Sequence, residues 1–347
     1  MRAKLASLFL LFFPECADSF LKLLWVCIGN FDTSRSKISL LSPPPGIVDM
    51  SSVPTLFATI GMPNPTSLSG AVSPSAFSGA VSPGALVFPR LRTTSRIVIP
   101  ARLASTRLPE KLLLRETGKT VLQHTFEAAS TARRPAGITI AVDCEKLQRE
   151  ADLFGASCVL TDPNLPSGTD RVAVVAAGMP EVDIFVNVQG DEPEISAEAI
   201  DLVTQLLENR PEAQVATLAA PIRQRERLED PACVKVVRDD QQRALYFSRS
   251  PIPHARSWDA TLLESNPPMF LQHIGLYAYR RDFLMRLATL PHSPLEQIEK
   301  LEQLRFLQAG CEIMVGLIDH APKGIDTPSD YRAFVQRHSL ALSRRKS

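Results

Sequence analysis

The chain lacks a strong net charge and has no cysteine pattern typical of a metal site. Its 347 residues carry a formal net charge of +1, which argues against nucleic-acid binding by bulk electrostatic attraction. The six cysteines form no C-x-x-C pair and no cluster with histidine, so the sequence indicates a reducing compartment rather than a disulfide framework or zinc site. The absence of G-x-G-x-x-G and G-x-x-x-x-G-K-[ST] leaves dinucleotide oxidoreduction and P-loop chemistry unsupported.

The first part of the chain has little charge and no periodic apolar face. Between residues 38 and 89 the single charged residue is Asp49, and the near-repeats 69–74 and 78–83 lie in the same stretch. Many of its residues are proline or serine, which interrupt helices and strands. We therefore predict a low-complexity, disordered extension over residues 1–94.

The first residues resemble a secretory signal. Arg2 and Lys4 precede an apolar run over residues 5–13, which is too short to span a bilayer. No clear small-x-small cleavage site follows it. A signal-like segment, a disordered extension and a true start nearer Met50 or Met62 are all compatible with the sequence, and we expect no stable membrane insertion.

From Arg96 onward, short β-branched runs alternate with amphipathic segments. This alternation predicts parallel strands with right-handed crossovers, that is, an α/β protein with a Rossmann-like sheet. The predicted strands are 97–101, 138–142, 157–160 and 184–188. The predicted helices between them are 121–132, 145–154 and 171–177.

After Asp191 the alternation is less regular. The runs 215–219, 234–238, 244–247 and 274–279 predict strands that are antiparallel or belong to a side ribbon. Residues 295–307 predict one helix, and residues 313–318 predict a final strand. We expect one domain over residues 95–340, followed by a basic tail over 341–347.

A loop rich in cations follows the first predicted strand. It carries Arg102, Ser105, Arg107 and Lys111. In open α/β sheets, ligands bind at the carboxyl ends of the strands, and fixed guanidinium and ammonium groups at that edge suit a polyphosphate. A solvated basic surface loop is the alternative interpretation.

Two acids are predicted to follow later strands. Asp191 comes after a Gln-Gly turn, and Asp326 precedes Thr327-Pro328, which is typical of a helix start. Mg²⁺ prefers a few carboxylate oxygens together with substrate phosphates. Each acid alone is equally compatible with a turn or a helix cap, but both acids beside a polyphosphate loop favour a shared metal site.

The motifs together resemble a known family. They are Arg102-x-x-Ser-x-Arg-x-Pro-x-Lys, Asn187-Val-Gln-Gly-Asp-Glu-Pro, Tyr246-Phe-Ser-Arg, His273-Ile-Gly-Leu-Tyr, Leu301-Glu-Gln-Leu-Arg and Gly324-Ile-Asp-Thr-Pro. In this order they are similar to those of 3-deoxy-manno-octulosonate (Kdo) cytidylyltransferases, and the resemblance runs from about residue 96 to about residue 334.

The resemblance implies a fold and an activity. The fold is a Rossmann-like nucleotidyltransferase of the nucleotide-diphospho-sugar transferase type, with a mixed sheet flanked by helices and an antiparallel side ribbon. The reaction is CTP + Kdo → CMP-Kdo + pyrophosphate, which activates Kdo for lipopolysaccharide synthesis. It further implies Mg²⁺, a cytoplasmic location and a homodimer. The alternatives are another sugar-acid nucleotidyltransferase, such as a CMP-sialate synthetase, and a non-catalytic nucleotide-binding member.

The resemblance also implies residue roles. Nucleotide binding is implied for Arg102, Ser105, Arg107, Lys111, Ser167, Gly168, Thr169 and Arg171. Sugar binding is implied for Gln189, Arg249, His273, Tyr277, Glu302 and Gln303, with Arg249 pairing with the Kdo carboxylate. Asp191 and Asp326 are the implied metal ligands and act in catalysis with Lys111 and Arg102. The chain departs from the family pattern at Glu110, Val142, Cys144 and Leu165.

Overall fold

A computed structural model of the chain describes residues 93–346. Almost all of the predicted disordered extension over 1–94, and the whole of the signal-like segment, therefore lie outside the described residues. In the part that is described, no helix is both long and apolar enough to cross a membrane.

A mixed sheet lies at the centre of the described chain. Its nine strands are β1 (Ser95–Ala101), β2 (Ile138–Val142), β3 (Cys158–Leu160), β4 (Ile184–Asn187), β5 (Val215–Pro221), β6 (Lys235–Arg238), β7 (Ala244–Ser248), β8 (Leu271–Arg280) and β9 (Ile313–Leu317). The main order is β3-β2-β1-β4-β8-β5-β9, while β6 and β7 form a ribbon attached to β8. The predicted mixed sheet with a side ribbon is confirmed.

Helices of very different length connect and flank these strands. They are α1 (Val121–Ala129), α2 (Glu145–Leu153), α3 (Gly168–Ala177), α4 (Ala197–Asn209), α5 (Arg225–Glu229), α6 (Arg281–Leu287), α7 (Pro294–Glu299), α8 (Gln303–Gln308) and α9 (Pro328–Lys346). Short 3-10 helices form at Lys111–Leu113 and Ala260–Leu263. The segment that we described as a basic tail continues α9 as far as Lys346.

The direction of the strands determines where the ends of the sheet meet. Strands β1 to β4 are parallel to one another, and β5 is parallel to β9. Strand β8 runs antiparallel to both β4 and β5. The beginning of β8 therefore lies at the same edge as the carboxyl ends of β1, β4 and β5.

Both faces of the sheet are covered by helices. Ile97 and Ile99 pack into one buried cluster with residues of α1, α2, α4 and α9. Val98, between them, packs into a second cluster with residues of α3, α6 and α8. Because both faces are buried, the central strands are apolar at nearly every position, which is typical of parallel sheets.

The prediction of one helix over residues 295–307 is wrong. The chain forms α7 and α8 instead, and Lys300 between them has a left-handed backbone with φ 53°. The Arg249 guanidinium takes part in this break, because it donates to the carbonyl of Glu299 at 2.6 Å. The guanidinium thereby supplies a donor to one of the last carbonyls of α7, which have no partner within the helix.

Two other helices differ from the sequence prediction. Helix α3 begins at Gly168 rather than at Arg171, because Ser167 and Asp170 form a reciprocal capping box ahead of it. Helix α4 was not predicted, although Ser196 caps its first turn by accepting from the Ala199 amide. Both starts follow from a serine side chain that satisfies a free backbone N–H.

Candidate active site

A cavity of about 400 Å³ opens at the carboxyl ends of β1 and β4. The sequence-predicted residues that line it are Arg102, Ser105, Arg107, Lys111, Ser167, Gly168, Gln189, Asp191 and Asp326. They come from four distant segments of the chain. The structure thus brings together the predicted phosphate loop, part of the predicted nucleotide turn and both predicted metal ligands.

The loop after β1 is fixed to neighbouring segments at both of its ends. The Leu103 amide donates to both carboxylate oxygens of Asp143 at 3.1 Å, just after β2. At the far end, Glu110 has φ 50°, a region that favours glycine, and its carboxylate accepts from Lys146 of α2 at 2.7 Å. The 3-10 helix that starts with Lys111 follows directly.

Lys111 connects the loop to both acids. Its Nζ contacts Asp191 Oδ2 and lies 3.0 Å from Asp326 Oδ1 and 2.9 Å from the Ile325 carbonyl. Burial lowers the pKa of this ammonium, but the two carboxylates more than offset that effect and hold the pKa above its ordinary value. Lys111 is therefore a fixed positive charge, and Arg107 adds a second cation 3.0 Å from Asp326.

The two acids are close enough to share one cation. Asp191 and Asp326 both contact the same ammonium nitrogen, and their oxygens are the hard donors that Mg²⁺ prefers. Among residues 93–346 no cluster of three or more His, Cys, Asp or Glu is arranged to hold a metal. The donor set therefore fits an ion that takes its remaining ligands from water and substrate phosphates.

Gly190 permits the close packing that places Asp191. A Cβ atom at this position would lie 3.1 Å from the Pro100 carbonyl oxygen, so a side chain there would force β1 and β4 apart. The Thr125 hydroxyl donates to the Gly190 carbonyl at 3.0 Å, and the Ile325 amide donates to the Asp191 carbonyl at 2.9 Å. These contacts explain why the two acids meet.

Two buried polar atoms near the cavity have no partner within the described residues. One is Arg102 Nη2, on a residue that lines the cavity. The other is Oε2 of Glu192, a residue to which sequence reasoning assigned no role. Burial raises the pKa of Glu192 to about 8, and the charges of Asp191 and Asp326 add to the rise. The only sequence signal for it was the second acid of the Asp-Glu pair.

Two of the predicted nucleotide contacts lie outside the cavity. Arg171 is fully buried, and its guanidinium donates to Thr161 Oγ1 at 2.5 Å and to the Asp162 carbonyl at 3.0 Å. Thr169 is also buried and donates to Glu302. Both side chains therefore support the turn rather than line the space beside it.

A bulge in β8 brings two of the predicted sugar residues together. Tyr277 pairs with Thr217, but the next pair along β5 is Leu218 with Ile274. As a result the rings of His273 and Tyr277 lie 5.4 Å apart. Bulges of this kind redirect side chains next to active sites.

His273 is held as a neutral ring in this environment. Its Nε2 lies 3.0 Å from the Thr217 hydroxyl, and burial lowers its pKa to about 3. Burial also raises the pKa of the Tyr277 phenol well above its usual range. Both side chains are therefore uncharged at neutral pH and act as hydrogen-bonding groups.

Backbone carbonyls bind the charged residues of the ribbon. The Arg249 guanidinium donates to the carbonyls of Glu299 at 2.6 Å, Pro231 at 3.0 Å and Lys300 at 3.4 Å. The fully buried Lys235 donates to the Cys233 carbonyl at 2.7 Å and to that of Arg249. Its pKa is lowered by burial. The pairing of Arg249 with a sugar carboxylate stays a prediction, because its donors are used by the protein in this structure.

We group the predicted residues into two sides, named for the roles that the sequence predicts. Gln189, a predicted sugar residue, lines the same cavity as the predicted phosphate residues. The phosphate side consists of Arg102, Ser105, Arg107, Lys111, Asp191 and Asp326. The sugar-acid side consists of Arg249, His273, Tyr277, Glu302 and Gln303. Of the latter, Gln303 is buried with 4% of its surface exposed, and Glu302 reaches the start of α3.

Comparisons with known proteins agree with this arrangement. Residues 96–313 match the family described as Cytidylyltransferase. A 3-deoxy-manno-octulosonate cytidylyltransferase of Rhodopirellula baltica is 53% identical over 70% of this chain and 97% of its own length. An 8-amino-3,8-dideoxy-manno-octulosonate cytidylyltransferase of Shewanella woodyi is 40% identical over 68% of this chain and 95% of its own length.

A solved structure is similar as well. It is a CMP:2-keto-3-deoxy-manno-octonic acid synthetase complexed with CTP, with a TM-score of 0.67 and 37% identity over 72% of this chain and 100% of that chain. The present chain belongs to the cytidylyltransferase family and, within it, to the 3-deoxy-manno-octulosonate cytidylyltransferases.

Proposed function

We propose that this protein transfers CMP from CTP to the anomeric hydroxyl of Kdo and releases pyrophosphate. The observation that carries the proposal is the unpartnered Arg102 Nη2, which is buried on a cavity that Ser105, Arg107 and Lys111 also line. A buried guanidinium donor without a partner is costly. A phosphate oxygen in the cavity supplies the missing acceptor.

The residues of the phosphate side account for most of the chemistry. The sugar hydroxyl attacks the α-phosphorus in line and loses its proton to water, the new P–O bond forms, and the bond to the leaving pyrophosphate breaks. Lys111, Arg102 and Arg107 neutralise the negative charge that collects on the phosphate oxygens. Because these donors are already fixed, little reorganisation is needed during the reaction.

Asp191 and Asp326 are the residues that would hold Mg²⁺. When bound, the ion supplies charge neutralisation and lowers the pKa of a coordinated hydroxyl. Lys111 contacts both carboxylates, so we expect its ammonium to shift onto phosphate oxygens when the ion and CTP bind. We infer a dependence on Mg²⁺ on this ground.

The assembly and location of the protein are part of the proposal. Leu245 on β7 and Ile298 on α7 expose 58% and 80% of their surfaces. Large apolar side chains exposed to this degree support a homodimer in which a second copy covers them. The need for CTP as substrate supports a cytoplasmic location.

Pyrophosphate release tests the function. The full chain with Mg²⁺, CTP and Kdo is expected to release pyrophosphate, while Asp191→Ala is expected to have no measurable turnover at any Mg²⁺ concentration. Asp240→Asn, a change at an exposed acid, controls for loss of surface charge. A wild-type protein that is inactive with CTP and Kdo would contradict the proposal.

A panel of substrates determines which sugar acid and which nucleotide the protein prefers. One relative carries the 8-amino-3,8-dideoxy name, so the panel includes that sugar as well as Kdo and sialic acid, each with CTP, UTP and ATP. We expect the highest kcat/KM for Kdo with CTP. A higher kcat/KM for the 8-amino sugar or for sialic acid would show that this sugar, and not Kdo, is the preferred substrate.

A further inference from the structure

Thr169 occupies an unusual place between the two sides of the site. It is the second residue of α3, directly after Ser167 and Gly168, which line the nucleotide cavity. Its own side chain points elsewhere: it is buried with 4% exposed, and its hydroxyl donates to Glu302 Oε2 at 2.7 Å. The nucleotide turn is thus bonded to a residue of the sugar-acid side.

Other contacts of Glu302 do not replace this bond. Arg305 Nη2 donates to Oε1 at 3.0 Å, but Arg305 belongs to the same short helical segment. Ser167 Oγ is 3.4 Å from Oε1, yet it lies only 2.6 Å from Asp170 Oδ2, which takes its single proton. Thr169 is therefore the close link between α3 and Glu302.

Two cavities adjoin each other beside the hydrogen bond between Thr169 and Glu302. Ser167 lines both the nucleotide cavity and a second cavity whose wall includes Asp170, Glu302 and Arg305. The Glu302 carboxylate also contributes to the raised pKa of Tyr277, so its charge reaches the sugar-acid side. The shortest hydrogen bond between the first turn of α3 and Glu302 is that of Thr169.

We propose that Thr169 is a positioning residue which, through Glu302, makes the binding of CTP and of the sugar acid interdependent. This inference rests on the proposed function. CTP that fixes the Ser167-Gly168 turn also fixes Thr169, and Thr169 then holds the Glu302 carboxylate in place for the sugar acid. By linkage, the sugar acid strengthens CTP binding by the same factor.

The test measures this factor directly. Calorimetry gives the dissociation constant of α,β-methylene-CTP, which cannot be cleaved to pyrophosphate, with and without saturating Kdo. In the wild-type protein Kdo is expected to tighten binding of the analogue. Thr169→Val keeps the volume but removes the hydroxyl, and it is expected to reduce the coupling about tenfold, the size of a hydrogen bond to a charged group.

Two variants control for structural effects. Thr169→Ser restores a hydroxyl and is expected to recover the coupling. Thr204→Val makes the same change at a buried threonine of α4, whose hydroxyl donates only to Ile200 of its own helix at 2.7 Å, so it is expected to leave the coupling unchanged. Thermal unfolding of each variant identifies a general loss of stability.

Several results would show that Thr169 does not couple the two binding events. Wild-type coupling in Thr169→Val, an equal loss in Thr204→Val, or no coupling in the wild-type protein would each overturn the inference. Should Thr169→Val not fold, Glu302→Gln is expected to lose the coupling instead, and its retention there would also overturn it. A wild-type enzyme that makes CMP-Kdo but lacks this coupling leaves the proposed function intact, whereas an inactive one refutes that function.

Discussion

Lys111 on the phosphate side is bound by two carboxylates, whereas Arg249 on the sugar-acid side is bound by backbone carbonyls. Lys111 contacts Asp191 and Asp326, while Arg249 donates to three carbonyls and His273 contacts a threonine. A phosphate and a metal ion readily exchange places with paired side chains. The Arg249 donors are already bound to three backbone carbonyls, so a sugar carboxylate has to compete with these carbonyls for them.

The largest effect is expected from a substitution that disrupts the phosphate side and leaves the sugar-acid side unchanged. Lys111→Met removes the cation and leaves two carboxylates facing the cavity, so we expect kcat/KM for CTP to fall about a hundredfold or more. The Kdo KM is expected to change little. Steady-state kinetics with each substrate varied in turn makes the measurement.

The control for this change is Lys119→Met, since Lys119 is exposed and pairs with Glu127 on the surface. It removes the same charge without touching the cavity and is expected to keep wild-type kinetics. An effect of Lys111→Met confined to the Kdo KM would show that the phosphate assignment is wrong.

A middle-sized effect tests the packing between the strands of the phosphate side. Gly190→Ala places a Cβ 3.1 Å from a backbone oxygen, and we expect a loss of about 1–3 kcal/mol in the free energy of unfolding together with lower activity. Gly275→Ala in the β8 bulge is the matched control, because a Cβ there meets nothing within 4 Å. Equal losses of stability in both variants, measured by urea unfolding, would contradict this interpretation.

The remaining effect appears only at acid pH and concerns stability on the sugar-acid side. Burial lowers the pKa of His273 to about 3, while in the unfolded chain it is about 6.5. Between these pH values the unfolded chain binds a proton that the folded chain does not, so stability falls as the pH falls, by at most about 1.4 kcal/mol per pH unit.

His273→Gln removes the imidazole that binds this proton in the unfolded chain, and it keeps a polar group near Thr217. We expect a shallower loss of unfolding free energy between pH 6 and pH 4, roughly within the window set by these pKa values. The exposed His320→Gln serves as control. An unchanged slope in His273→Gln would mean that the folded protein protonates His273 as readily as the unfolded chain.

The phosphate side was largely predictable from the sequence because its residues are local to strand ends. The run before Arg102 is apolar and β-branched, and the acids follow a strand or precede a helix, so the position of each at the sheet edge follows from the pattern. Which neighbours they contact was not predictable, since the Lys111 bond to Asp326 spans 215 residues of sequence.

The sugar-acid side shows where sequence reasoning stops. Apolar periodicity predicted one helix through Lys300, but at the break the Arg249 guanidinium donates to the carbonyls of Glu299 and of Lys300 itself, 50 and 51 residues away. The bulge that joins His273 to Tyr277 exists only in the pairing of β8 with β5. Starting α3 three residues earlier likewise placed Thr169 and Arg171 on its buried side. The break and the bulge have no local signature, whereas the start of α3 has one in the capping box of Ser167 and Asp170, which sequence reasoning missed.

The position of β8 has a consequence for redesigning the substrate range. Its partners on either side are β4 and β5, so His273 and Tyr277, two of the predicted sugar contacts, are built into the middle of the sheet and are not carried on an exchangeable surface loop. Altering them means repacking the interior, where a methyl group too many already costs stability. Acceptance of a new nucleotide is thus the easier engineering goal, and acceptance of a new sugar acid the harder one.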